Sequence, residues 1–319
     1  MKKILLAGGA GYIGTELTKR LLKLNYDVTV VDGLWFGNNL PNEVNLIVKD
    51  LFSINHKDLE GYDVVIFLGG VSNDPMAEFS PSENFVQNAA CPAYLAYESK
   101  RAGVKRFIYA SSCSVYGYTV DELYDENSPA TVGYPYGISK LQGENGVMQM
   151  MDASISVISL RQGTVCGYSD RMRFDLVVNT MFKNAITNGS LKVNNPSIWR
   201  PIYHIQDACT AFIRAIQSPT QISGVFNVAS DNYTLGQIGD VVSNEIQKLS
   251  GREIKVEIDN VQDFRNYKVS VDKAKNQLGF SPSFNIKDIV TDLYKNLDKY
   301  EDMTSDKYYN VNIFKKLGK

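Results

Sequence analysis

Tyr136 and Lys140 stand four residues apart in the run Gly133-Tyr134-Pro135-Tyr136-Gly137-Ile138-Ser139-Lys140, so on a helix their side chains share one face. An ammonium beside a phenol favours the phenolate by opposite charge, and a tyrosine so tuned can act as a general base near neutral pH. Upstream, Ser111-Ser112-Cys113-Ser114-Val115-Tyr116-Gly117 places a hydroxyl, that of Ser112, just past an apolar run. At the N-terminus Gly8, Gly11 and Gly14 recur at every third position. In such a turn the first glycine allows the tight bend, the second lets a pyrophosphate approach the backbone, and the third permits close packing of helix on strand. The following helix turns its positive end toward the phosphates. These residues describe a proton-transfer centre beside a dinucleotide.

The elements that must position them are legible as apolar runs. Residues 3–7 end at the glycines, and 15–24 carry apolar residues at helical spacing, so the turn lies between a strand and a helix. Further runs cover 27–31, ending at Asp32, then 44–48, 64–68, 107–110 and 156–160, with a helical pattern over 84–102. Continuous apolar strands separated by helices predict an α/β fold, a Rossmann-type doubly wound parallel sheet covered on both faces. Asp32 closes the second strand at about the 20-residue spacing of the acid that binds the ribose hydroxyls of NAD. Gly33 and Leu34 follow it with no arginine, which favours NAD over NADP. Beyond Cys166 the alternation breaks down, then the run 225–229 and the helical pattern 235–249 suggest a return to the main sheet. The expected division is a cofactor-binding domain at 1–165, with a return near 203–230, and a smaller interleaved C-terminal α/β substrate domain at 166–202 and 231–319. The tail from about Tyr300 is polar and tyrosine-rich, with no pattern that reads as an element.

Composition narrows the classes. The 319 residues are 44% hydrophobic and 21% charged, as expected of a soluble globular protein, and the net charge of -2 contains no long run of one sign. Nucleic acid and anionic membrane surfaces are not expected partners. Cys91, Cys113, Cys166 and Cys209 are widely spaced, with only His56 and His204 to assist them, so no metal site is expected and a reducing cytoplasm suits the chain. The apolar run 4–7 is too short for a signal peptide or a spanning helix. Cys113 reads as a packing residue and His204 as a structural histidine.

On these motifs, from Gly8 to about Pro282, the chain resembles the extended short-chain dehydrogenases/reductases of the NAD-dependent epimerase/dehydratase type. The resemblance implies a catalytic set in which Ser112 orients the sugar oxygen, Tyr136 moves the proton, and Lys140 holds the nicotinamide ribose while lowering the tyrosine pKa. It implies cofactor contacts from Gly8, Gly11, Tyr12, Ile13, Gly14 and Asp32. Asp50 and Leu51 would flank the adenine, Leu68, Gly69 and Gly70 would line the cofactor, and Asn88 would sit behind the nicotinamide. Sugar-nucleotide 4,6-dehydratases of this family carry Thr-Asp-Glu where this chain has Ser112-Cys113-Ser114, so dehydration is not expected.

The same resemblance makes the substrate a nucleoside-diphosphate sugar. Trp199-Arg200-Pro201-Ile202-Tyr203-His204 is similar to a family segment whose arginine grips the diphosphate, and Asp263-Phe264-Arg265-Asn266-Tyr267 to the place of a second arginine. Guanidinium groups suit phosphates because each donates two hydrogen bonds in a fixed fork. Ser72 and Asn73 lie in a loop expected to read the sugar. Arg173 and Asn179, in a segment that also resembles heptose-nucleotide dehydrogenases, are candidates for phosphate or base contacts. Thr164 stands where galactose-type 4-epimerases place a substrate-binding asparagine, so the sugar pocket differs from theirs. Three activities remain open: an epimerase acting through a transient 4-keto sugar, a net 4-dehydrogenase or keto-sugar reductase, and a non-catalytic NAD-sensing regulator. A homodimer is expected through helices 84–102 and 136–151, with Val86, Ala90, Ala93, Leu95, Val147 and Met151 as material for core and interface.

Overall fold

Apolar runs that leave no polar face can satisfy their backbone only inside a covered sheet, and the chain folds in that way. The computed structural model describes residues 1–261 and 265–319, and of Val120 and Asp121 only the strand they lie in. Asp263 and Phe264, next to the expected second arginine, lie outside the described residues. In chain order the described strands are Lys3–Ala7 (β1), Asp27–Asp32 (β2), Asn45–Val48 (β3), Val64–Phe67 (β4), Arg106–Ser112 (β5), Tyr118–Tyr124 (β6) and Ser156–Gln162 (β7). They continue with Thr164–Cys166 (β8), Ser190–Asn194 (β9), Trp199–His204 (β10), Gly224–Val228 (β11), Asp231–Thr234 (β12), Lys255–Asp259 (β13) and Asn266–Val269 (β14). The described α-helices are Tyr12–Lys23 (α1), Asp74–Phe79 (α2), Pro81–Phe85 (α3), Cys91–Arg101 (α4), Pro135–Met148 (α5), Val177–Asn188 (α6), Ile205–Gln217 (α7), Leu235–Ser250 (α8), Ile286–Lys295 (α9) and Asn310–Lys316 (α10).

The main sheet is parallel and seven-stranded, in the order β11-β7-β5-β4-β1-β2-β3. Alternate residues of its strands face two cores. Ile4, Leu6 and Ile66 pack with Leu17, Leu21, Phe212 and Ile216 of α1 and α7, whereas Leu5, Val65 and Phe107 pack with Leu95 and Val147 of α4 and α5. Strand order reverses between β1 and β4, and the crevice outside their carboxyl ends is the ligand site of such sheets.

Beyond β7 the chain builds smaller sheets, β12-β10-β8, β13-β9 and β14-β6. Two expectations need correction. A boundary at residue 165 cuts through β8, whose pairing partner is β10. The helix expected over 84–102 is interrupted by a π-helical turn at Val86–Ala90, an arrangement common at functional positions. The tail that showed no pattern is ordered by aromatic anchoring: Phe174 packs edge-on against Tyr300 and Tyr308, and α10 buries Phe314 completely.

One buried ion pair fixes α5 on the sheet. Glu144 on α5 accepts from Arg161 Nε (3.1 Å to each oxygen) and Nη2 (2.6 Å) and from Ser159 Oγ (3.0 Å), while Arg161 Nη1 donates to Tyr116 Oη (2.7 Å). Both charged residues are buried, so removing one leaves the other desolvated without a counter-charge. Glu144→Ala is expected to lower the unfolding free energy by about 3–5 kcal/mol, measured in urea, with the double change Glu144→Leu and Arg161→Met recovering most of it. A loss below about 1 kcal/mol, the scale of an exposed pair, would contradict this role.

Candidate active site

The glycine turn shows why each position is small. Gly8 has φ of 82°, and a Cβ there would lie 2.4 Å from the Gly69 backbone; a Cβ at Gly14 would lie 2.5 Å from Gly9 O. Gly11 is different. Its nearest protein atom would be 3.4 Å away, so the protein itself leaves room there and the expected reason for glycine is an approaching ligand. The first intrahelical bond of α1 runs from Thr15 N to Gly11 O (2.9 Å), which leaves the N–H groups of Tyr12, Ile13 and Gly14 in the unpaired first turn.

Asp32 at the end of β2 accepts from Ala10 N (2.9 Å) and Leu34 N (2.7 Å). Burial pushes its pKa up, and these bonds together with Arg171 pull the other way. Its carboxylate therefore also braces the turn. Leu51 is buried, with a methyl 2.4 Å from where a Gly69 Cβ would stand, while Asp50 is exposed and caps a short 3-10 turn through Phe52 N. Leu68, Gly69 and Gly70 follow β4 at the crevice, and a Cβ on Gly70 would strike Asn88 Oδ1 at 2.2 Å.

Tyr136, Ser112 and Lys140 meet because α5 starts against the turn after β5. Pro135 occupies the first position of α5, where its missing N–H costs nothing. A Cβ at Gly137 would lie 2.9 Å from Ser114 O, so glycine there lets the two segments nest. Asn84 Nδ2 donates to Pro135 O (3.0 Å), Asn88 Nδ2 to Ser139 Oγ (3.1 Å), and Ser139 Oγ to Tyr136 O (2.8 Å). Gly143 lets Asn88 O and Tyr109 Oη approach α5. The Tyr136 hydroxyl is hydrogen-bonded to Ser112, and Lys140 Nζ donates to Ala110 O (3.0 Å).

The electrostatics differ from expectation. Burial pushes the Tyr136 pKa up and Asp74 pushes the same way, against the Ser112 bond and Arg173. Lys140 is not among the main influences on Tyr136: its Nζ is 5.9 Å from the Tyr136 ring centroid and turned to Ala110 O. Burial lowers the Lys140 pKa to about 7.

The expected substrate residues divide. Arg200 donates to Trp199 O (2.9 Å) and to Arg265 O, so the two arginines stand side by side, and Arg265 pairs with Asp74 (2.6 Å). Asp74 in turn acts on Tyr136, which joins the arginines to the reacting end of the cleft. Ser72 accepts from Asn310 Nδ2 (2.7 Å), and Asn73 Nδ2 donates to Asp175 (3.1 Å), which holds Arg173 in a fork (2.8 and 3.0 Å). Asn179 is a correction. It is fully buried, accepts from Gly167 N (3.1 Å) and donates to Tyr12 Oη (3.2 Å) and Arg173 O (2.9 Å), so it positions other residues rather than meeting a ligand. The Tyr12 side chain likewise turns away to Gly167 O (2.6 Å), leaving its backbone as its contribution to the turn. His204 is structural, receiving Gln206 N, pairing with Asp292 and stacking on Phe284. The Cys113 thiol is buried and its pKa is pushed up. Residues the sequence reading missed are Asp74, Arg171 and Asn310; only Asp74 carried a signal, lying beside Ser72 and Asn73.

The donor set fits a dinucleotide. Asn88 Oδ1, Ser111 Oγ and Ser114 Oγ are buried without a protein partner, Lys140 is bonded only to one carbonyl, and α1 offers three N–H groups. Fold and site together define a dinucleotide-binding enzyme of the short-chain dehydrogenase/reductase type. The model of the NAD dependent epimerase/dehydratase family matches residues 4–229. The chain belongs to that family, within the extended short-chain dehydrogenases/reductases, and its cofactor is NAD. It is 27% identical over 332 residues to UDP-glucose 4-epimerase 3 of Oryza sativa subsp. japonica, covering 91% of this chain and 88% of that protein. Among solved structures it is similar to the UDP-glucuronic acid 4-epimerase of Bacillus cereus in complex with UDP-glucuronic acid and NAD (TM-score 0.82, 22% identity, 93% of this chain and 99% of that one). It is also similar to TunA, an NAD-dependent NDP-hexosamine 5,6-dehydratase involved in tunicamycin biosynthesis (TM-score 0.82, 22% identity, 94% and 99%). Among the described residues no helix is long and apolar enough to cross a membrane.

The buried ammonium makes stability depend on pH. An unfolded lysine keeps its proton to about pH 10.4, whereas folded Lys140 keeps it only below about 7. Between these values the unfolded chain binds more protons, so this residue's contribution to stability rises with pH and its cost is largest at and below pH 7. Lys140→Met is therefore expected to gain stability relative to the parent near pH 7, and the gain should shrink toward pH 10. Unfolding curves at the two pH values check it; a gain that grows with pH would contradict the burial.

Proposed function

We propose that this protein is an NAD-dependent nucleotide-sugar epimerase acting through a transient 4-keto sugar. The observation that carries the reading is the Ser112–Tyr136 pair at the mouth of the NAD crevice, backed by buried Lys140 and flanked by Arg200 and Arg265. The seven-stranded sheet with its flanking helices holds the cofactor, and the smaller sheets beyond β7 the nucleotide sugar, except that α10 lies against the cofactor side. The similarity to UDP-glucose and UDP-glucuronic acid 4-epimerases supports a UDP-sugar as substrate.

Arg200 and Arg265 grip the diphosphate, and Ser72 and Asn73 border the sugar. Ser112 orients the C4 hydroxyl, and Tyr136 accepts its proton as the carbon is oxidised. When bound, NAD would supply the acceptor and donor of the hydride, and its positive charge would favour the phenolate that burial alone disfavours. Lys140 orients the nicotinamide ribose and, with a pKa near 7, can exchange a proton close to Tyr136. After the keto sugar turns, Tyr136 gives the proton back. Ser112-Cys113-Ser114 lacks the acid pair a 4,6-dehydratase needs, so water is not expelled. Tyr136→Phe should keep the fold and NAD affinity but lower turnover of UDP-glucose or UDP-glucuronic acid by at least about a hundredfold; activity within about threefold of the parent would sink the assigned base.

The protein acts as a homodimer in the cytoplasm, where its four unpaired cysteines stay reduced. Phe85, Val86 and Tyr97 on the segment α3 to α4, and Met151 after α5, leave large apolar side chains exposed, while Leu95 and Val147 belong to the core. This face suits a four-helix contact between two copies. Light scattering should return about twice 35.6 kDa; a clean monomer at micromolar concentration would refute the dimer.

A further inference from the structure

A bound dinucleotide brings a pyrophosphate with two negative charges to the glycine turn, and the nearby segments supply no cation. Residues 8–14, 33–44 and 68–80, which surround the crevice between β1, β2 and β4, contain no lysine, arginine or histidine. Helix N–H groups alone carry only partial charge.

Cations reach this place from elsewhere in the chain: Lys319 and Lys315 lie over the Trp35 and Phe79 rings, Arg173 is paired with Asp175, and Arg171 is the remaining guanidinium. Arg171 is buried, lies over the Phe36 ring (4.3 Å to the centroid) in the loop after β2, and is within electrostatic reach of Asp32 and Tyr12. Its Nη2 donates to Asn310 Oδ1 and its Nη1 weakly to Met172 O (3.5 Å). Among the described residues no carboxylate lies within ion-pair distance of it, whereas Arg173, two residues on, has Asp175. Asp175 and Asp32 act on it only from beyond contact, so this buried arginine is held by neutral acceptors and lacks a contacting counter-ion.

The partner that steers it is C-terminal. Asn310 opens α10, is buried, and bridges three segments: its Oδ1 accepts from Arg171, its Nδ2 donates to Ser72 Oγ after β4 (2.7 Å), and its N–H donates to Asp175 (3.3 Å). Phe314, one helical turn further, locks α10 between Trp35 (5.7 Å) and Phe79 (6.4 Å). Trp35 and Phe36 belong to the loop after Asp32, so α10 spans the crevice from the β2 loop to the β4 loop. This segment lies beyond the family match, which ends at residue 229.

We propose that Arg171 is the counter-charge of the NAD pyrophosphate, and that α10 is a clasp across the cofactor crevice in which Asn310 positions that guanidinium. Arg171 thus touches the cofactor, and Asn310 acts through it. The proposal rests on the NAD site and not on the sugar reaction, so it stands or falls independently of the epimerase reading.

Calorimetry on the full chain with NAD, ADP-ribose and adenosine tests it. ADP-ribose carries the pyrophosphate without nicotinamide, and adenosine carries neither. Arg171→Gln should weaken NAD and ADP-ribose by about ten- to a hundredfold, the worth of one or two charge-assisted hydrogen bonds, and leave adenosine within about twofold, with Arg171→Lys recovering part of the loss. Asn310→Ala should weaken ADP-ribose by about three- to tenfold, the worth of a neutral hydrogen bond, again sparing adenosine. Should Arg171→Gln fail to fold, the Asn310→Ala comparison decides alone. Unchanged ADP-ribose affinity or an equal loss for adenosine would overturn the assignment.

Discussion

A lysine ammonium, buried and bonded to one backbone carbonyl, is costly to hold inside the fold, and much of what surrounds Lys140 keeps it in place. Such a group lowers its own pKa or leaves the interior unless the element that carries it cannot move. Helix α5 cannot move. Glu144 ties its middle to Arg161 on β7, Gly143 seats it against Asn88 O, and the Asn84, Asn88 and Ser139 web fixes its first turn. The same anchoring sets Tyr136 against Ser112, so one rigid helix carries both Tyr136, the proposed base, and Lys140, proposed to orient the ribose.

The cofactor crevice is closed from two directions. The turn after β1 is shaped by contacts that forbid any side chain at Gly8 and Gly14, and by Asp32, which braces the turn. The residues that carry charge to this crevice, Arg171 and Arg173, come from the segment between β8 and α6, and Asn310 from the end of the chain. In the proposed reading, the negatively charged parts of cofactor and substrate are thus bound by the later half of the chain, while the proton chemistry falls to α5 and the turn after β5.

Legibility followed locality. Glycines at every third position and uninterrupted apolar runs are signals contained within a few residues, and β1, β2, β4, β5, β7 and β11 were readable from them. The strands β6, β8, β9 and β12 to β14 are three to seven residues long and pair across large sequence gaps, so no local pattern announces them. Asn179 was misread because a buried amide and a ligand-binding amide look alike until Gly167, Tyr12 and Arg173 are folded around it. The effect of Lys140 on Tyr136 was expected from spacing and from the family resemblance; the spacing is right, but the ammonium turns to Ala110 and burial is the largest influence on Tyr136. The tail was opaque because its order comes from Phe174, Trp35 and Phe79, residues far from it in sequence.

If the protein is the epimerase proposed, one carbon of a nucleotide sugar is oxidised and re-reduced by NAD that stays bound, with Tyr136 moving the proton. The most direct measurement is the reaction of the purified protein with UDP-glucose and UDP-glucuronic acid in deuterium oxide, followed by nuclear magnetic resonance and by nicotinamide absorbance. The expected result is conversion of one of them to its C4 epimer, with no deuterium on carbon and no accumulated NADH. Deuterium at C5 or C6 would indicate chemistry of the dehydratase kind, and steady accumulation of NADH with oxidised sugar would indicate net dehydrogenation; either result contradicts the account.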